Sequence, residues 1–142
     1  MQLPDVNVLL YAFREAAPDH ARYRGWLLEL VNGEAPFALA DQVLTGFVRI
    51  ATHPRIFDPP ADLEQALAFV RALRDAPNAV PVAPGPRFWG LFERLCRDGS
   101  ARGNLVADAA LAALAIESGS ELVTTDRDFA RFPGLRWRHP LR

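Results

Sequence analysis

The chain has 142 residues, half of them hydrophobic, and a net charge of −1. That length suits one domain with a real core, so residues 1–142 read as a single unit. The near-neutral balance signals neither a nucleic-acid nor a membrane partner, and no apolar run reaches transmembrane length.

The one cysteine, Cys96, allows no intrachain disulfide and no cysteine metal cage, which fits a reducing cytoplasm. The opening MQLPDVNVLLYAF lacks a basic region and carries Asp5 early, so it does not read as a signal peptide. Every basic residue is arginine. That excludes a phosphate-loop lysine, a Schiff-base lysine and a lysine general base.

Residues 1–4 read as a short strand. Val6, Leu9, Leu10 and Phe13 then stand at helical spacing. Asp19 is placed to cap a second helix running to about 31. FALA at 37–40 reads as a strand, and Asp41 as the N-cap of a helix over 42–52, stopped by His53 and Pro54. Pro59 and Pro60 precede a helix over 61–75. The strand at 80–82 contains Pro81 and belongs at an edge. Pro86 opens a helix to about 97, and DGSARG at 98–103 is a loop. A helix over 105–116 follows, then a strand at 121–124, a short helix near 129–132 and a last strand near 135–137.

Alternating strands and helices predict an α/β sandwich around a mostly parallel sheet. Such sheets carry their sites at the C-terminal strand ends. Asp5, Asp41 and Asp126 each follow a predicted strand, and so share one edge. Asp108 is the only charge in LVADAALAALAI, a stretch apolar on every side and expected to be buried. A carboxylate there needs an arginine, backbone N–H groups or a metal cation to offset several kcal/mol of desolvation, to order of magnitude. Clustered carboxylates repel one another, and a divalent cation resolves the repulsion. Oxygen-only ligands suit Mg²⁺ or Mn²⁺ rather than zinc, and such a site activates water for attack on a phosphodiester. Helix capping is the preferred alternative for Asp41 and an equal one for Asp128. Asp5 also has a cap alternative and Asp126 a turn alternative; mid-helix Asp108 has neither.

PDVNVLLYA at 4–12, GFVRIATHPR at 46–55, GNLVADA at 103–109 and TTDRDFARFPGL at 124–135 together resemble the PIN-domain ribonucleases, most closely the VapC toxins of bacterial toxin–antitoxin operons. The resemblance runs over nearly the whole chain. It implies a three-layer α/β/α sandwich and a Mg²⁺-dependent endoribonuclease, with Mn²⁺ able to substitute. It also implies a homodimer in the cytoplasm, held inactive by a VapB-type antitoxin. Carried over residue by residue, Asp5, Asp108 and Asp126 become the catalytic metal ligands, with Asp128 a further candidate. Asn7 would orient Asp5 or the local backbone, and Thr125 would add a hydroxyl near the metal. One departure stands out: the family's usual glutamate falls where this chain has Gly46. Asp41, Asp128 or Glu64 are the acids available to replace it. The gap motivates an alternative, a non-catalytic PIN-like module that binds RNA or protein.

Arg49 and Arg55 lie near the expected site edge and are candidates for RNA phosphate contacts, with salt bridges to surface acids an equal alternative. The helices at 42–52 and 61–75 are apolar enough to form a groove for an antitoxin helix, or simply to pack on the sheet. His20, His53 and His139 have no metal-ligand spacing. No serine sits in a nucleophile elbow. A haloacid-dehalogenase-like phosphatase would resemble D-x-D-x-T, but Asp5-Val6-Asn7-Val8-Leu9 lacks the second Asp and the Thr, and the chain has no lysine.

Overall fold

The computed structural model describes all 142 residues. Five short strands, β1 (Gln2–Pro4), β2 (Phe37–Ala40), β3 (Ala79–Val82), β4 (Glu121–Val123) and β5 (Trp137–Arg138), form one sheet in the order β3-β2-β1-β4-β5. Every pairing is parallel. The helices are α1 (Val6–Phe13), α2 (His20–Asn32), α3 (Asp41–Ala51), α4 (Leu63–Asp75), α5 (Phe88–Asp98) and α6 (Asn104–Glu117), with a 3₁₀ turn at Arg127–Arg131.

From β1 the chain steps through β2 to β3, using α1–α4 as crossovers. It then returns across the sheet through α5 and α6 to β4. A strand–helix–strand crossover is right-handed in nearly all cases, so reversing the direction of travel puts the two helix groups on opposite faces. Helix contacts follow the same division: α1 packs on α2 and α3, α3 on α4, and α5 on α6. This is the expected three-layer α/β/α sandwich. The reversal places a topological switch point between β1 and β4, where open α/β sheets leave a crevice.

Central strands must be apolar on both faces, and β2, FALA, is buried at every position. Pro81 is exposed in β3, an edge strand that can spare its missing N–H. Phe13, Phe47 and Phe69 stack in one group and tie α1, α3 and α4 together. Cys96 packs against the core, as do Trp26 and Trp137, while Trp89 is 67% exposed on α5.

Two capping expectations differ from the structure. Asp19 stands at the N-cap of α2 in a left-handed conformation, but its side chain makes no cap bond. Asp41 lies inside the first turn of α3, after Ala40, and caps nothing with its side chain. Its charge there still favours the helix dipole. A third correction concerns α6. Its last three turns are buried through Ala109, Leu111, Ala112, Ala113, Leu114 and Ala115, yet its first turn is open, with Val106 38% exposed. The helix is therefore not buried all round; it emerges from the core at its N-terminal end, and Asp108 is half-buried at that boundary.

Candidate active site

Asp5 directly follows β1, and its N–H donates to the Val123 carbonyl of β4 at 2.9 Å. The main chain thus fixes it at the switch point. Its side chain is only 8% exposed. Oδ1 accepts the Val6 N–H at 2.7 Å, capping α1. Oδ2 accepts the Thr124 hydroxyl at 2.7 Å and the Asn7 amide at 3.1 Å.

Thr124, fully buried, is the hub of this network. Besides donating to Asp5, its Oγ1 accepts the Asn7 amide and the Asp126 N–H, both at 3.1 Å. One donor and two acceptor sites are all a hydroxyl has, so its capacity is used completely. The Asn7 carbonyl oxygen accepts the Thr125 N–H at 3.1 Å, joining the first turn of α1 to the end of β4. Asp126 then accepts the Asp128 N–H on its Oδ1 at 2.9 Å and starts the 3₁₀ turn. Asp5 and Asp126 are therefore caps that each keep carboxylate capacity to spare.

Asp108 comes to this cluster from α6. Burial, followed by the charges of Asp126, Asp5 and Asp128, raises its pKa to about 6, and Arg131 opposes the rise. None of these causes is a hydrogen bond to the carboxylate. Asp5 is also raised, by burial first and by Asp126, against the hydrogen bonds from Thr124, Val6 and Asn7. Four carboxylates thus share one field without enough positive charge from the chain to neutralise them.

The structure places Asp5, Asp126 and Asp128 near enough for their charges to act on Asp108, and Asn7 braces Asp5. The hydroxyl bonded to Asp5 belongs to Thr124, while Thr125 joins the network through its main-chain N–H. Asp41, Glu64, Arg49 and Arg55 are not among the charges acting on Asp5 or Asp108. Arg49 lies with Asp41 and Arg74 along a groove between α3 and α4. Neither Arg49 nor Arg55 forms a salt bridge; the chain's ion pair is Arg138–Glu121. The three histidines bind separate stretches of main chain, at Tyr11, Arg55 and Leu141. A Cβ on Gly46 would stand 3.3 Å from Val6 Cγ2, so this glycine lets α3 approach α1 right beside Asp5.

Sequence reasoning missed three residues. Thr124 is one. Arg131, in the TTDRDFARF motif, is the cation nearest in effect to Asp108 and is anchored on the Gly99 carbonyl at 2.9 Å. Gln42, in the first turn of α3, donates to the Ala107 carbonyl at 3.0 Å and so holds α6 one residue before Asp108. A lone glutamine on an open helix face carries no sequence signal for such a role.

No three His, Cys, Asp or Glu side chains stand close enough to form a ready metal cage. The donors are all carboxylate oxygens, and the field at Asp108 is one a cation would relieve. That chemistry fits a hard divalent ion that keeps several waters rather than one enclosed by protein. The uncompensated charge has a thermodynamic signature. A carboxyl whose folded pKa lies above its unfolded value costs stability once ionised, and the cost builds as pH rises from about 3.8 through about 6. Asp108→Asn is therefore expected to stabilise cation-free protein at pH 7.5 by about 1 kcal/mol after discounting for solvent screening, seen as a higher melting temperature. The difference should shrink toward pH 4, and differential scanning calorimetry at the two pH values checks both points. A lower melting temperature for the variant at pH 7.5 would contradict the electrostatic reading.

A family model described as the PIN domain matches residues 3–135. Ribonuclease VapC43 of Mycobacterium tuberculosis is 48% identical over 137 residues, covering 96% of this chain and 93% of its own. Ribonuclease VapC25 of the same organism is 41% identical over 140 residues, covering 99% of each. Among solved structures, VapBC2 from Rickettsia felis, bound to a DNA fragment from its promoter, contains a chain that superposes with a TM-score of 0.70 at 20% identity, over 97% of each chain. VapBC-1 from nontypeable Haemophilus influenzae gives 0.68 at 16% identity, over 99% of this chain and 98% of that one. At those identities the structures speak for the fold.

Proposed function

The chain belongs to the PIN-domain family, and from that premise we propose that it is a metal-dependent endoribonuclease, the toxin half of a type II toxin–antitoxin pair. The observation that carries the reading is the convergence of Asp5, Asp108 and Asp126 at the switch point, with Asp108 raised to about 6 by burial and its acidic neighbours. Relatives named as ribonucleases, matched over nearly their full length, support catalysis over a binding-only module despite Gly46.

In this reading Asp5, Asp108 and Asp126 hold Mg²⁺ or Mn²⁺, with Asp128 at the rim. An ion bound there would supply an activated water and charge stabilisation at the phosphodiester. The chain's own contribution is preorganisation. Thr124 and Asn7 lock the Asp5 rotamer, Gln42 fixes the register of α6, and Arg131 limits the repulsion at Asp108. Arg49 and Arg55, exposed and without carboxylate partners, are proposed to meet RNA phosphates.

A VapB-type antitoxin and a second copy of the chain are the proposed protein partners. The α3/α4 groove, about 530 Å³ and edged by Arg49 and Arg74, is the proposed seat for an antitoxin helix. No helix is long and apolar enough to cross a membrane; we place the protein in the cytoplasm, where its RNA substrates are. The test is cleavage of RNA by purified, partner-free protein in Mg²⁺ and its loss in a chelator.

A further inference from the structure

A pocket of about 400 Å³ opens along α1, with Asn7, the residue that braces Asp5, in its lining. That volume falls in the range of small-ligand sites, roughly 300–1,000 Å³. Its lining is largely apolar and includes Tyr11, Ile50, Ile56 and Phe57, with Arg14 and Asn7 the polar members. Asn7 is the residue whose amide holds Asp5, so the pocket and the proposed active site share this side chain. Ile56 is 50% exposed, an open apolar surface at this position. The guanidinium carbon of Arg14 sits 3.5 Å from the Phe57 ring centroid. Arg14 has no carboxylate partner, since the chain's ion pair is elsewhere.

Resting on the nuclease reading above, we propose that this pocket receives a nucleobase next to the scissile phosphate, its flat ring against the Arg14–Phe57 pair and its own phosphate near the free guanidinium charge. Single-stranded RNA is recognised by splaying bases out onto aromatic rings and arginine planes, and an arginine suits the adjoining phosphate. An apolar peptide side chain would fill the same volume. It would leave the guanidinium unpaired, and nothing would require it to lie beside Asn7 and Asp5.

The test uses the full chain, free of protein partner, acting in Mg²⁺ on a random-sequence single-stranded RNA pool whose product ends are sequenced. Wild type is expected to show a base preference at one nucleotide flanking the cut. Phe57→Leu keeps the apolar volume but removes the aromatic face. Ile56→Trp, at an open position, fills the pocket. Both are expected to flatten the preference and lower kcat/KM roughly 5- to 150-fold, the range for losing one base–aromatic stack. Cuts should continue at high RNA concentration, because the carboxylates are untouched.

Unchanged preference and kcat/KM in both variants, or a wild type with no preference, overturns the proposal while leaving the nuclease intact. Variants that keep the wild-type base preference and kcat/KM, but bind a VapB-type antitoxin more weakly in a parallel titration, overturn it in favour of a protein-docking pocket. A wild type that cuts nothing contradicts the nuclease reading itself, and this proposal falls with it.

Discussion

Replacing Asp108 by asparagine is expected to lower RNA cleavage by roughly 10²- to 10³-fold or more, the scale set by losing one preorganised electrostatic group at a reacting centre. The substitution keeps the shape of the side chain and removes its charge. It also removes the carboxylate that the chain leaves least compensated, since burial and three acidic neighbours act on it against Arg131 alone. The same variant is expected to be at least as stable as wild type without cation. Activity and stability should therefore move in opposite directions, which separates a functional carboxylate from a structural one. Single-turnover cleavage of a fixed RNA, run beside a melting curve, reads both. A variant that cuts at the wild-type rate would remove Asp108 from the centre.

Thr124→Val is expected to have the largest effect among residues that hold the site without belonging to it. Valine matches threonine in shape, so no cavity opens, but one donor and two acceptor sites vanish from a fully buried position. The Asp126 N–H and the Asn7 amide each lose a partner, and Asp5 loses its hydroxyl donor at 2.7 Å. Burying such groups unpaired costs about 1–3 kcal/mol, and melting should fall by several degrees. Cleavage should fall roughly 10- to 100-fold, as it does when the partner that orients a metal ligand is lost. Thr124→Ser retains the hydroxyl and is expected to restore most of the activity, at a cost near 1 kcal/mol for the missing methyl. Equal cleavage rates for the Thr124→Val variant and wild type would show that the hub positions nothing.

Much of this arrangement was legible in the residues. Apolar runs separated by helical spacings marked an α/β sheet, and the acids just past strand ends marked its functional edge. Asp5 and Asp126 stood out for that reason, and Asp108 stood out as the lone charge in an alanine- and leucine-rich helix. The illegible parts have physical causes. Thr124 and Thr125 are adjacent and alike, and Thr124 continues, fully buried, from Leu122 and Val123 of a strand covered on both faces. Such a strand has no polar–apolar alternation to reveal which hydroxyl points to Asp5. Composition said that α6 was buried all round, but composition does not say where a helix leaves the core, and the half-burial of Asp108 depends on that point. Asp41 and Asp19 have the residue type of helix caps, yet a cap bond also needs local backbone geometry that neither provides. Gln42 acts across a distance of 65 residues, which no local pattern records.

Carboxylates at the β1–β4 switch point are proposed to hold a cation with which RNA is cut. The most direct measurement is cleavage of total RNA by purified, partner-free protein in Mg²⁺, in Mn²⁺ and in EDTA, beside Asp108→Asn. Discrete products are expected in either cation, none in EDTA, and a rate for the variant at least about a hundredfold lower. Cleavage that persists in EDTA, or folded protein that binds RNA and leaves it whole in both cations, would contradict the proposal.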